Sequence, residues 1–334
     1  MCTHNGASRI KTVLEHLARQ AFQEPIPWEI VLVDNASTDG TAQVARTNWN
    51  SSVPLRIINE PTLGVSYARI TGMNHCQYAY LGFIDDDNWV APDWVERAYD
   101  AMDSKDDVAA IGSSSDAVFE TPPPAWFHRF SKNYAVGDQY EYSGKIQKPE
   151  GLLWGAGLVI RKQAWEQLVE NGFRPILRSR IGKGLLSGEE SEVLLLFRLF
   201  GWNLYFDKNL KIQHYMPSHR LTWKYHLQLR RGLGATSLYL DLYRSLLPWM
   251  ETGKLPDHIP WLKAILIDSG KLLQDPLAVL ASPLARSEGN YRVALGQFHL
   301  GKLRERYRRG PELDRVYADL VQQVQSWPLT KGSD

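Results

Sequence analysis

Short apolar runs alternate with amphipathic segments through the first part of the chain. Ile10, Val13, Leu14 and Leu17 recur at helical spacing and predict the buried face of one helix. Residues 29–33 are apolar except for the first, which predicts a buried strand. Strands that alternate with helices in this way are typical of an α/β fold with a mostly parallel sheet.

The alternation continues to about residue 112. Pro92 suits the first turn of a helix, because proline lacks the N–H that this position leaves unbonded. The predicted elements are strands at residues 55–58, 80–84 and 108–112, a helix at residues 64–75, and a helix after Pro92 that buries Val95, Ala98, Tyr99 and Met102.

The second part of the chain has a different pattern. Residues 115–150 are rich in proline and aromatic residues and show little periodicity, which predicts a long functional loop. Regular patterns return as a helix at 189–200, short strands at 204–206 and 211–213, and helices from about residue 221. We therefore expect an α/β domain over residues 1–222 and a helical C-terminal extension over residues 223–334.

Composition narrows the class without naming the function. Of the 334 residues, 44 % are hydrophobic and 22 % are charged. The net charge of +1 gives no global field that would favour nucleic acid or anionic lipid as a partner. Cys2 and Cys76 are too few for a disulfide framework and suit a reducing, cytosolic setting. No apolar run of about 18 residues occurs, so no transmembrane helix is expected.

Three carboxylates follow the predicted strand at residues 80–84. Asp85, Asp86 and Asp87 then lie at the carboxyl edge of the sheet, where α/β proteins bind ligands. Adjacent carboxylates repel each other unless a cation or a proton neutralises them, so this run predicts a site for Mg²⁺ or Mn²⁺. A solvated acidic turn is the structural alternative.

Two further residues suggest a nucleotide. Asp34 lies at the end of the predicted strand at residues 29–33 and can accept hydrogen bonds from a nucleobase or a ribose. Turn chemistry explains residues 37–40. The helix that begins near Gly64 can attract phosphate at its N-terminus, and Arg69 lies one turn inside it. A salt bridge to an aspartate explains Arg69 equally well.

Two later segments carry candidate catalytic and phosphate-binding groups. Glu189 and Glu190 begin an apolar helix, where the helix dipole favours acids and where a general base would also fit. His214 and His219 are candidates for metal or phosphate contact, and Arg220 for neutralising a diphosphate. Isolated histidines are more often structural.

In this order, the segments resemble family 2 glycosyltransferases, which are inverting enzymes with the GT-A fold. The resemblance covers about residues 1–225. The sequences of residues 83–94 and 152–165 are similar to those of the bacterial branch that builds exopolysaccharides and cell-surface glycans. The segments that carry it are CTHNG at 2–6, VDNASTDGT at 33–41, GVSYAR at 64–69, FIDDDNW at 83–89 and GEESE at 188–192.

The resemblance implies roles for the matched residues. Asp87 would hold the metal as an outer member of a DxD motif, and Glu190 would be the catalytic base. Because the family usually has Asp at that second acidic position, Glu189 is the alternative base. Thr3, His4 and Asp34 would line the nucleoside pocket. Arg69 would contact the donor, and Asp85 or Asp86 would face the ribose and the donor sugar.

The expected function is transfer of a sugar from a nucleotide diphospho-sugar to a glycan or lipid-linked acceptor, in polysaccharide or cell-surface glycan synthesis. The expected location is cytoplasmic. Residues 261–273 mix apolar residues with lysines, and packing against the catalytic domain is the simpler account of them. The alternative is peripheral contact at the inner face of the plasma membrane. A catalytically inactive carbohydrate- or nucleotide-binding partner in a polysaccharide assembly complex is one alternative. A sugar nucleotidyltransferase is the other, although no Gly-rich phosphate loop follows the first turn.

The chain departs from the family at its start. Family members begin with an apolar strand that leads into the CTHNG-type turn, whereas only Met1 precedes Cys2 here. Because a central strand supplies hydrogen bonds and burial to its neighbours, we expect its loss to lower stability or activity. A soluble monomeric preparation with a cooperative melt would contradict this expectation.

Overall fold

The computed structural model describes residues 1–177, 187–254, 259–273 and 287–327. The chain divides into two compact units, of which unit 1 comprises residues 1–120, 134–173 and 202–216 and unit 2 the remainder. The predicted domain boundary between residues 222 and 223 stays a prediction, and parts of the predicted extension lie outside the described residues.

The elements alternate as expected in the first part of the chain and become helical towards the end. In chain order they are β1 (Cys2–Thr3), α1 (Ile10–Ala18), β2 (Ile30–Asn35), α2 (Thr41–Asn48), β3 (Leu55–Glu60), α3 (Val65–His75), β4 (Tyr80–Gly82), β5 (Asn88–Val90), α4 (Trp94–Asp103), β6 (Val108–Phe119), α5 (Phe127–Phe130), β7 (Gly144–Lys145), β8 (Val159–Arg161), α6 (Lys162–Glu170), α7 (Glu189–Leu199), β9 (Asn203–Met216), α8 (Trp223–Thr252), α9 (Trp261–Leu273) and α10 (Tyr291–Ser326).

Unit 1 contains two sheets. The first has the order β1-β2-β3 and is parallel throughout. The second has the order β4-β8-β6-β9-β5 with β7 beside β9, and among these pairings β6 with β9 is the parallel one. The α/β class with a helical C-terminal region is confirmed, whereas the antiparallel pairings of the second sheet were not predicted.

The predicted face of α1 is fully confirmed, because Ile10, Val13, Leu14 and Leu17 are all buried. The predicted face of α4 is correct for Ala98 and Met102, whereas Val95 is half-buried and Tyr99 is 39 % exposed. The buried face is rotated about the helix axis and consists of Trp94, Ala98, Ala101 and Met102.

The two short strands predicted at 204–206 and 211–213 are parts of one strand, β9. Its pairing with β6 shifts register once, because Ser113 lies opposite Asp207 and Ser114 lies opposite Lys211. Residues 208–210 are therefore extra on the β9 side and form an irregularity. The polar residues at this bulge explain why the sequence pattern breaks there.

The first strand is short but paired. Cys2 and Thr3 lie beside Val33 and Asp34 of β2 in parallel register. The Met1 ammonium donates to the Val31 carbonyl at 2.8 Å, and the Val33 amide donates to the Met1 carbonyl at 2.8 Å. A short first strand is therefore present, and the predicted truncation of this strand and the expected loss of stability stay predictions.

Unit 2 is helical in its described residues. Its longest helices, α8 and α10, pack closely where both carry glycine: a Cβ at Gly234 would lie 1.9 Å from the Phe298 carbonyl oxygen, and one at Gly301 would lie 2.1 Å from that of Arg231. Among the described residues, no helix combines the length and hydropathy needed to span a membrane.

Candidate functional site

Strand ends bring the predicted residues of unit 1 to one sheet edge. Thr3 lies opposite Asp34, and Asp34 lies opposite Asn59 on the next strand. An isolated parallel bridge joins Cys2 to Asp85, so the aspartate run begins beside the end of β1. This is the carboxyl edge of the parallel sheet, where the sequence predicted a ligand site.

Asp86 is the anchored member of the run. It accepts a hydrogen bond from the Thr3 hydroxyl at 2.7 Å and two from the Arg9 guanidinium at 3.2 and 2.9 Å. Burial raises the pKa of the Asp86 carboxyl, and these hydrogen bonds act against that rise. Its two polar partners fix the direction of the run at the sheet edge.

Arg9 was missed by the sequence analysis. It lies at the N-cap position of α1, and its side chain is 37 % exposed. A single arginine before an apolar helix face carries no motif and normally faces solvent. Its pairing with Asp86, 77 residues away, depends on the tertiary fold.

Asp85 has the most exposed side chain of the three aspartates. Its two carboxylate oxygens lie 3.4 Å from Nη2 of Arg69. Asp85 is 33 % exposed and Arg69 only 8 %, with the guanidinium 5.5 Å from the ring centroid of Phe83. The salt-bridge interpretation of Arg69 is therefore correct in this structure, and it places the cation beside the open carboxylate.

Asp87 faces a histidine. Its Oδ1 lies 3.6 Å from Nε2 of His214. The same oxygen accepts a hydrogen bond from the side-chain Nδ2 of Asn88 at 3.0 Å. The cause is strand pairing, because Asn88 of β5 lies directly opposite His214 of β9. The Asp87 and His214 side chains are 10 % and 12 % exposed. The structure thus brings the two predicted metal ligands together.

The chemistry of this pair fits a divalent cation. Two ligands that each reach a cation at about 2.1 Å can stand 3.6 Å apart, as Asp87 Oδ1 and His214 Nε2 do. Within the described residues, no group of three or more His, Cys, Asp or Glu is arranged around a metal position. Two protein ligands leave coordination positions that substrate phosphates can occupy, which is common for Mg²⁺ sites.

The remaining predicted residues of unit 1 shape the nearby turn. Nδ1 of His4 lies 2.7 Å from the carbonyl oxygen of Asn35, and Asp34 Oδ1 accepts a hydrogen bond from the Ser37 amide at 3.3 Å. Asp39 accepts hydrogen bonds from the Thr41 amide at 3.1 Å and the Thr41 hydroxyl at 2.5 Å. His4 is exposed and Asp34 half-buried, so both can also meet a ligand at this edge.

Asn35 holds the segment that leads into α3. Its amide nitrogen donates to the carbonyl oxygens of Glu60 and Thr62 at 3.1 and 2.7 Å, and its oxygen accepts from the Gly64 amide at 2.8 Å. The side chain is buried. This role of Asn35 was not predicted from the sequence, because its partners follow it by 25 to 29 residues.

Four predicted site residues belong to unit 2 and the others to unit 1. The four are Glu189, Glu190, His219 and Arg220. Glu189 is buried and accepts a hydrogen bond from the Gly188 amide at 3.1 Å. Glu190 is half-buried in the first turn of α7. Arg220 lies in a short 3₁₀ helix, Ser218–Leu221, together with the exposed His219.

Glu192, which the sequence analysis did not single out, is the fully buried acid of α7. It accepts hydrogen bonds from the amides of Ile176 and Leu177 at 2.7 and 3.1 Å and from the hydroxyl of Tyr243 on α8. Burial raises the pKa of Glu192 to about 7, and the three hydrogen bonds limit that rise. These bonds tie α7 to residues 176–177 and to α8.

Comparison with known proteins adds independent information. The sequence profile of Glycosyl transferase family 2 matches residues 1–169. Glycosyltransferase GlyA of Streptococcus pneumoniae is 23 % identical over 172 residues, which cover 49 % of this chain and 24 % of that protein. Uncharacterized glycosyltransferase EpsJ of Bacillus subtilis is 28 % identical over 144 residues, covering 42 % of this chain and 41 % of that protein. The matches therefore span less than half of either relative.

Two solved structures share the architecture. The mannosyltransferase PcManGT from Pyrobaculum calidifontis, in complex with GDP-Man and Mn²⁺, has a TM-score of 0.54 at 16 % identity, covering 90 % of this chain and 85 % of that one. S. aureus TarS 1–349 has a TM-score of 0.50 at 14 % identity, covering 92 % and 90 %. At these identities the likeness concerns the fold alone.

Proposed function

This chain belongs to Glycosyl transferase family 2, and from that membership we propose that it transfers a sugar from a nucleotide diphospho-sugar to a hydroxyl acceptor with inversion. Membership confirms the predicted family and enzyme class, and the architecture is the predicted GT-A fold. The proposed role is polysaccharide or cell-surface glycan synthesis. The family favours sugar transfer over nucleotidyl transfer.

One observation carries the proposal: the aspartate run meets the ends of β1 and β2 at the carboxyl edge of the parallel sheet. Thr3, His4 and Asp34 supply polar groups there for a nucleoside. Asp85 offers an accessible carboxylate to the ribose or the donor sugar, with Arg69 beside it. Asp86 orients the run, because Thr3 and Arg9 hold both of its oxygens.

In this proposal Asp87 and His214 hold Mg²⁺ or Mn²⁺. The bound ion supplies Lewis-acid stabilisation of the leaving diphosphate. Asn88 restrains Asp87 through its side-chain hydrogen bond, and the β5–β9 pairing holds His214 opposite it. The low exposure of both side chains limits competition from water for the ligand positions.

The remaining predicted residues receive the remaining roles in this proposal. Glu190 removes the proton from the acceptor hydroxyl, with Glu189 as the alternative base, and Arg220 neutralises the leaving diphosphate. The proposed acceptor is a glycan or a lipid-linked glycan. With a lipid-linked acceptor, the protein works in the cytoplasm at the inner face of the plasma membrane.

The proposal is tested by a donor screen that monitors nucleotide release from UDP-, GDP- and dTDP-sugars with Mn²⁺ or Mg²⁺. We expect metal-dependent release with one donor. Asp87→Asn keeps the side-chain shape and should lower release about a hundredfold or more, because several kcal/mol of leaving-group stabilisation depend on the metal. Asp100→Ala, an exposed change on α4, should leave release unchanged. Full activity of Asp87→Asn would refute the metal role.

A further inference from the structure

Exposed aliphatic side chains concentrate on and just before α9. Among the described residues, Leu63 and Val169 are the other large aliphatic side chains with comparable exposure. The members of this group, called here the α9 face, are Ile259 at 47 %, Leu262 at 62 %, Leu266 at 73 %, Ile267 at 42 % and Leu273 at 72 % exposure. Such a concentration on one short helix indicates an interaction surface.

The other side of α9 is packed within unit 2. Ala264 and Asp268 are buried, and Asp268 accepts a hydrogen bond from Arg306 of α10 at 2.7 Å. Trp261 lies against α10, where a Cβ on Gly310 would come within 2.8 Å of its ring. The exposed leucines therefore lie on the opposite side of a helix that α10 already supports.

The charges around the α9 face select its partner. Asp268 is the one acid in the sequence of α9, and its side chain is 6 % exposed and paired with Arg306. Lys263 is exposed beside Leu262. An apolar face flanked by a cation and without an exposed acid on its helix complements anionic headgroups over an acyl boundary.

We propose that the α9 face binds the surface of an anionic lipid bilayer, with α9 lying in the plane of the interface. At 13 residues, α9 is about 20 Å long, which suits lying on a bilayer and is too short for crossing one. The leucines enter the acyl boundary, and Lys263 meets the headgroups. This inference is independent of the transfer reaction, because binding requires neither donor nor acceptor.

The test is co-sedimentation of the full chain with vesicles, without donor. One set contains phosphatidylglycerol and phosphatidylcholine, and the other contains phosphatidylcholine alone. We expect the chain to bind the anionic vesicles, and salt should weaken this binding. Binding to the neutral vesicles should be weaker by about tenfold or more. The double variant Leu262→Glu with Leu266→Glu should lose about tenfold or more of the anionic binding.

Two further variants make the test specific. Val169→Glu places one glutamate at an exposed aliphatic side chain on α6, away from the α9 face, and should bind like the wild type. Lys263→Glu keeps the leucines and should weaken binding to the anionic vesicles without changing binding to the neutral vesicles. Circular dichroism melts check that each variant is folded. If the double variant does not fold, Lys263→Glu tests the proposal instead.

Several results would overturn the proposal. They are equal sedimentation with both vesicle sets, no sedimentation with either, and unchanged binding by the folded leucine variant. A fourth is dimerisation of the wild type without vesicles that the leucine variant abolishes, since the α9 face would then bind a second copy of the chain.

Discussion

At the residue scale, Gly6 is the position that leaves room for the bond between Thr3 and Asp86. A Cβ at Gly6 would lie 2.1 Å from the Thr3 hydroxyl oxygen and 2.6 Å from Oδ2 of Asp86. Gly6→Ala must therefore displace one of the two side chains. We expect a loss of about 1–3 kcal/mol in the free energy of unfolding, because a buried carboxylate loses a donor and the site is overpacked.

Gly144→Ala is the matched control for Gly6→Ala, since a Cβ at Gly144 meets nothing within 4 Å. Urea unfolding of both variants should show a loss for the first and little change for the second. Nucleotide binding by calorimetry should weaken for the Gly6 variant alone. Equal effects of the two variants would disprove the role given to the contact between Thr3 and Asp86.

The residues that the sequence located are those whose place follows from a strand end. Asp34 and the aspartate run directly follow apolar strands, so the rule for sheet edges places them correctly. Arg9 and Asn35 could not be located in this way. Each bonds to a residue or backbone group 25 or more positions away, and their local sequence would look the same on an ordinary surface or turn.

At the element scale, the attachment of α7 to α8 depends on Glu192 and Tyr243. The pKa of Glu192 is about 7 in the folded protein against an ordinary 4.5. Between these values the folded protein keeps a proton that the unfolded chain releases, so stability falls as the pH rises from about 4.5 to about 7. The loss attributable to Glu192 is at most about 3 kcal/mol.

Glu192→Gln isolates this effect, because it removes the titration and keeps most of the shape. The free energy of unfolding of the wild type minus that of the variant should decline between pH 4.5 and 7. The subtraction is necessary because burial lowers the pKa of His226, in the same unit, to about 3, which makes stability rise with pH over part of the same range. A difference that does not vary with pH would contradict the prediction.

Elements with local periodicity were predictable, and long-range pairings were not. The four buried residues of α1 follow from spacing alone. The insertion of β8 between β4 and β6 joins strands that are about 50 to 80 residues apart in the chain, and no local pattern encodes it. The bulge in β9 likewise arises from its pairing with β6.

At the scale of the whole molecule, each unit is assembled from separate stretches of chain. The chain passes between the units after residues 120, 133, 173, 201 and 216. The sequence pattern changes near residue 115, where periodicity is lost, and near residue 221, where helices take over. Only the second change predicts a boundary, because a stretch without periodicity predicts a loop as readily as a crossing between units.

The division into units leads to a prediction about cooperativity. Gly301 of α10 touches the backbone of α8, with a virtual Cβ 2.1 Å from the Arg231 carbonyl oxygen. Gly301→Ala must push the two helices apart, which should cost about 1–3 kcal/mol or more, since backbone atoms cannot rotate away. Gly270→Ala in α9 is the control: nothing lies within 4 Å of its Cβ, and alanine should stabilise that helix by roughly 0.5–1 kcal/mol.

Amide hydrogen exchange shows where the stability is lost. If each unit opens as its own cooperative body, Gly301→Ala should accelerate exchange in α8 and α10 and leave β2 and β6 of unit 1 protected as in the wild type. Equal acceleration in both units would mean that the chain unfolds as one body. In that case the donor site would share the stability of the helical unit, and destabilising unit 2 would reduce nucleotide binding in proportion.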